Sequence, residues 1–126
     1  MDALKFINEQ MSAIGVPYEL NEWTSEIQYP YFVGELTEEP TTTEDGMEEA
    51  TMLLTGFHKG QYIDLETVKE KIKAHFHTIY GARGRTDNGR IVVMYDGAFP
   101  VPTGEPELKK IQINLKIKEW KVKYYD

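Results

Sequence analysis

Histidine, serine, paired carboxylates and glycine-rich basic loops are the side chains and motifs from which this chain could build a reactive site. The histidines are His58, His75 and His77. His75 and His77 lie two apart in a helical stretch, about 200° around the helix axis, so they cannot share one metal ion. The zinc pattern H-E-x-x-H is absent. These are read as ordinary, partly exposed histidines. "GARGRT" at 81–86 follows a helical stretch and lacks the lysine of a phosphate loop, which must also stand between a strand and a helix. Aligning a calcium loop on Gly46 puts Met52 where a bidentate glutamate belongs. Ser12 and Ser25 are the only serines, and neither sits in G-x-S-x-G. There is no cysteine, which excludes disulfides, thiol catalysis and thiolate zinc sites, and suits a cytosolic protein. The expectation is a protein without catalytic residues, metal or cofactor.

Two charged groups remain. Glu38, Glu39, Glu44, Asp45, Glu48 and Glu49 crowd one stretch, "TEEPTTTEDGMEE" at 37–49, with no base among them. It reads as a solvated acidic loop or hairpin connection, mobile in the free subunit and suited to protein contact. It does not look rigid enough to hold two carboxylates at a catalytic separation. Arg83, Arg85 and Arg90 cluster in a second loop, and Lys116, Lys118, Lys121 and Lys123 line the last strand. With Tyr124 and Tyr125 they resemble a nucleic-acid surface. An overall charge of −7 and a pI near 5.0 oppose that use.

The elements that must carry these groups follow from periodicity. Leu4, Ile7, Met11 and Ile14 recur at helical spacing behind a capping Asp2, and Gly15 and Pro17 end that helix. Leu65, Val68, Ile72, Phe76 and Ile79 form the stripe of a second helix, capped by Asp64. Strands are predicted at 16–20, 31–36, 50–57 and 91–95, with a long last strand from about Lys109. Residues 80–90 read as a glycine-rich connection with a tight turn at Asn88–Gly89, and 96–107 as a proline-rich loop. The chain, 126 residues long, is expected to be one domain. No apolar run reaches the roughly 20 residues of a membrane helix, and the N-terminus lacks the basic start and apolar segment of a signal peptide. The expected fold is α+β: two amphipathic helices packed on one face of a four- to five-stranded, mostly antiparallel sheet.

Charge is divided along the chain. Residues 1–57 hold twelve acids against one base, for −11, and residues 58–126 hold nine acids against thirteen bases, for +4. Strands from the two halves could pair and cancel these charges within the subunit. Alternatively, the halves could attract one another between copies.

The last strand changes phase. Ile111, Ile113, Leu115 and Ile117 are apolar at odd positions, whereas Trp120, Val122 and Tyr124 are apolar at even ones. Either a bulge at Lys118–Glu119 returns Trp120 to the core, or the strand runs straight and Trp120, Val122 and Tyr124 join the lysine face. Burial of a tryptophan favours the bulge.

"YPYFVGELTEEPTTTEDGMEEATMLLTGFHKG", "LETVKEKIKAHF" and "YDGAFPVPTGEPELKKIQINLKIKEW" resemble small structural proteins of tailed bacteriophages and Gram-positive prophages. These are encoded in the head–tail joining region, and the chain is most like a tail terminator. The likeness spans about residues 28 to 122, and its wording identifies a lineage without encoding known chemistry. It implies helices on a sheet, and a ring, commonly six-fold, seated on the tail tube and facing the head connector. The implied partners are copies of the chain, the tail-tube protein and the head connector protein. The implied location is the bacterial cytoplasm during assembly and then the virion tail. No residue roles carry over. From the residues themselves, the candidate assembly interface is Glu38, Glu39, Glu44, Asp45, Arg83, Arg85, Arg90, Trp120, Val122 and Tyr124. Another head–tail connector or completion protein, and a small acidic inhibitor or regulatory protein, stand as alternatives.

Overall fold

The computed structural model describes residues 2–39 and 46–121. In chain order the elements are α1 (Ala3–Ala13), β1 (Tyr18–Leu20), β2 (Tyr31–Glu39), β3 (Met47–Lys59), α2 (Tyr62–Phe76), β4 (Ala82–Thr86), β5 (Gly89–Pro100) and β6 (Leu108–Lys121). The strands form one sheet in the order β1-β2-β3-β6-β5-β4. Every pairing is antiparallel except β1 with β2, so the sheet is mixed.

The fold is α+β, but the sheet has six strands rather than four or five. The extra strand, β4, lies inside the stretch expected to be a connection. Its inward positions are Ala82, Gly84 and Thr86, too small or too polar to leave an apolar signal, and Phe6 of α1 fills the space over Gly84. Residues 37–39 and 47–49 are likewise strand, paired as Thr37–Thr51, Glu38–Ala50 and Glu39–Glu49, not loop. The strand at 91–95 continues to Pro100 through an irregularity between Tyr95 and Ala98.

Gly15, at φ +70°, ends α1 as expected. Asp2 occupies the N-cap position of α1 as expected, whereas Asp64 does not cap α2. The Asp2 side chain makes no capping bond. The N-cap of α2 is Gln61, and Asp64 sits in the first turn, where its charge suits the helix dipole. Ile79 lies beyond the end of α2 and is 71% exposed.

Ile111, Ile113, Leu115 and Ile117 are buried and share one core with Phe6, Ile7 and Met11 of α1 and Leu65, Ile72 and Phe76 of α2. The same sheet face carries Ala50, Met52 and Leu54 of β3 and Ile91, Val93 and Tyr95 of β5. Both helices therefore cover one face, and among the described residues the opposite face carries no helix.

Candidate assembly surface

β6 contains no bulge. Lys118, Glu119 and Trp120 pair in unbroken register with Glu49, Glu48 and Met47 on one side and with Val92, Ile91 and Arg90 on the other. The expected bulge is thus corrected. A bulge in a strand bonded on both sides would interrupt two hydrogen-bond ladders, and the extra residue sits instead in β5 between Tyr95 and Ala98. Alternation then carries Glu119 to the helix side, where it is fully buried, and Trp120 to the open face, where it is 36% exposed.

Register assembles the predicted basic group on that open face. Arg85 pairs with Arg90, and Arg90 with Trp120, forming one row across β4, β5 and β6. Arg83 lies two residues along β4, opposite Val92, on the same face. Arg83, Arg85, Arg90, Val92 and Trp120 line a shallow cavity of about 390 Å³ with Gly84 and Ile91. Arg83 Nε donates to the Tyr80 carbonyl at 2.9 Å, which holds its guanidinium beside the hairpin.

The acidic candidates separate. Glu39 is exposed on the open face of β2 with Glu35, whereas Glu38 lies opposite the buried Ala50 on the helix side. Glu44, Asp45, Val122 and Tyr124 lie outside the described residues. Where β3 meets β6, charge cancels across the sheet: Lys118 Nζ stands 4.0 Å from Glu49 Oε1, and Lys121 Nζ 3.6 Å from Glu48 Oε1. Of the two expectations for the divided charge, pairing within the subunit is seen where β3 meets β6. β3 neutralises β6, and the arginines of β4 and β5 are left facing outward.

Glu119 went unseen in the sequence as a polar core position. Its Oε1 accepts from the Asp2 amide at 3.2 Å and its Oε2 from Thr86 Oγ1 at 3.4 Å. Asn88 Nδ2 in turn donates to Asp2 Oδ2 at 3.1 Å. One buried carboxylate thereby ties the start of α1 to β4 and the β4–β5 turn. Burial, and secondarily the nearby Asp2 charge, push its pKa above the ordinary carboxylate value.

The sequence also did not disclose an aromatic ladder at the far end of the open face. Trp23 and Tyr31 have ring centroids 4.8 Å apart, and Tyr31 stacks on Phe57 at 5.1 Å across β2 and β3. Tyr29 joins at 5.6 Å from Tyr31, and Lys110 Nζ lies 5.6 Å from the Phe57 centroid. Trp23 and Tyr29 come from a segment without periodicity, and only the β2–β3 register brings Tyr31 to Phe57.

The histidines are dispersed. His58 Nε2 meets Asp64 Oδ2 at 3.0 Å, His75 Nε2 meets Gln10 Oε1 at 2.7 Å, and His77 Nδ1 accepts from the amides of Ile79 and Tyr80. The His58 and His77 bonds are local, and the His75 bond ties α2 to α1. Among the described residues no group of three or more His, Asp or Glu is placed to hold a metal ion. No helix among them is long and apolar enough to cross a membrane.

No protein-family model matches the chain, and no curated protein matches it. Among solved structures, the chain is similar to a protein whose name assigns it no function. That likeness has a TM-score of 0.64 at 10% identity and covers 98% of this chain and 92% of the other. At that identity the likeness concerns the fold alone.

Proposed function

We propose that this chain is a non-enzymatic virion assembly protein, a tail terminator. It closes the end of the tail tube as a ring of copies and presents the surface that meets the head connector. The observation that carries this reading is the helix-free sheet face, with exposed arginines and Trp120 toward one side and exposed glutamates toward the other. A closed ring needs two different, complementary patches on each subunit, and a single face of this kind supplies both. The resemblance of residues 28 to 122 to head–tail joining proteins supports the setting.

The reading is tested by adding the purified protein to growing tail tubes and imaging them in negative stain. The expected result is density closing one end of the tube and an arrest of elongation. Tubes that elongate as before, with bare ends, would overturn it. A protein that leaves the tubes bare but binds the head connector would be a connector component instead.

A further inference from the structure

The sheet ends in edges of opposite charge. β4 is the terminal strand on one side, and Arg83 and Arg85 stand exposed on its helix-free face. On the other side β1 covers β2 only from Phe32 to Gly34, so the stretch 35–39 is itself at the border of the sheet. Glu35 and Glu39 are exposed there, also on the helix-free face. Among the described residues, none of these four side chains forms an ion pair.

Their separation explains why. Four inter-strand spacings lie between β2 and β4, roughly 19 Å at about 4.8 Å each. That is about twice the screening length at physiological ionic strength. The two charged edges cannot neutralise one another within a subunit. An exposed edge strand also invites contact with another strand, and its side chains decide which contact is allowed. Two β4 edges would set arginine against arginine, and two β2 edges glutamate against glutamate. Only β4 against β2 joins opposite charges.

We infer that the β4 edge of one copy docks along the 35–39 edge of β2 in a second copy, with Arg83 and Arg85 facing Glu35 and Glu39. The inference rests on the assembly reading for taking the partner to be the same chain. An array of docked copies keeps one unused β4 edge at one end and one unused β2 edge at the other, so the contact propagates head to tail until it closes.

The test uses two double variants of the full chain, Arg83→Glu with Arg85→Glu, and Glu35→Lys with Glu39→Lys. All four residues are exposed, and thermal melts check that each variant folds. In the first variant both edges are acidic, and in the second both are basic. Sedimentation velocity is run over a concentration series at low salt. Wild type is expected to associate, and each variant alone to associate about ten-fold more weakly or not at all, the scale of a few exposed ion pairs lost together. An equimolar mixture of the two variants is expected to associate again, because each β4 edge then meets a β2 edge of opposite sign. A wild type that stays monomeric throughout, variants that associate as wild type does, or a mixture that stays monomeric would each overturn the contact. The tail-tube experiment separates this from the assembly reading. Tubes capped by a protein whose self-association ignores the charge reversals would sink the edge contact and leave the terminator reading standing. Charge-dependent self-association by a protein that leaves tubes bare would do the opposite. If Arg83→Glu with Arg85→Glu abolishes capping but not self-association, the β4 edge contacts the tube protein, and the inference fails.

Discussion

Glu119 and Trp120 are neighbours in sequence and exchange the roles their side chains would ordinarily take. The carboxylate is buried and the indole is half in water, because an unbroken strand must alternate its faces. The burial of Glu119 makes stability depend on pH in a definite sense. Its pKa is raised in the folded chain above the ordinary 4.5. The group therefore favours folding below its unfolded value, and that contribution is lost as pH rises through the raised value. Glu119→Gln keeps an acceptor for the Asp2 amide and removes the buried charge. It should raise stability at neutral pH and flatten the pH dependence above 4.5, as read by urea denaturation at a series of pH values. A variant no more stable than wild type at pH 7 would show that the ionised form is well accommodated. Trp120→Ala should cost the monomer only about 1 kcal/mol, the ordinary scale of a partly exposed substitution, rather than the 3–5 kcal/mol of an aromatic core truncation. Urea denaturation distinguishes the two ranges, and a core-sized loss would mean that the indole is a structural support.

At the scale of elements, the fold depends on a strand with almost no apolar content. β4 is held to β5 by its ladder, to α1 by Phe6 over Gly84, and to β6 by the Thr86–Glu119 bond. A β-carbon at Gly84 would stand 2.5 Å from Phe6 Cε2, so the buried ring would have to shift. Gly84→Ala should lower stability by about 1–3 kcal/mol, the usual cost of overpacking. The measurement is again urea denaturation. Hydrogen exchange should locate the loosening at α1 and the β4–β5 hairpin, with β3 and β6 unchanged. The opposite end of the open face is held differently, by Trp23, Tyr31 and Phe57 in ring-to-ring contact. Such contacts add about 0.5–1.5 kcal/mol per pair beyond burial.

For the molecule as a whole, the relevant quantity is the arrangement of charge rather than the total of −7. The ion pairs within the subunit join exposed or half-exposed groups, including Lys118 with Glu49, Lys121 with Glu48, and Lys69 with Glu66 and Glu70. Pairs of this kind contribute little each. Raising ionic strength should therefore leave the melting temperature of the monomer nearly unchanged while weakening association between copies, since contacts between charged edges are screened. Melting curves and sedimentation at low and high salt check both halves. Association that strengthens with salt would indicate an apolar contact, such as one through the aromatic ladder.

The sequence by itself determined the parts that rest on local periodicity. Ile111 to Ile117 alternate strictly and form the core of β6. The stripes through Met11 and Phe76 are the buried faces of α1 and α2, and Gly15 stops the first helix. It also disclosed that Arg83, Arg85 and Arg90 lie close together, because they are close in the chain. Only the tertiary structure decided that β4 is a strand, since the ring filling the space at Gly84 comes from Phe6, 78 positions earlier. The phase change after Lys118 was equally undecidable locally. Bulged and straight strands share one alternation pattern up to that point, and the choice belongs to β3 and β5, whose ladders hold β6 straight on both sides. Pairing across strands, not distance along the chain, therefore places Trp120 beside the arginines and leaves Glu35 and Glu39 on the opposite side of the same face.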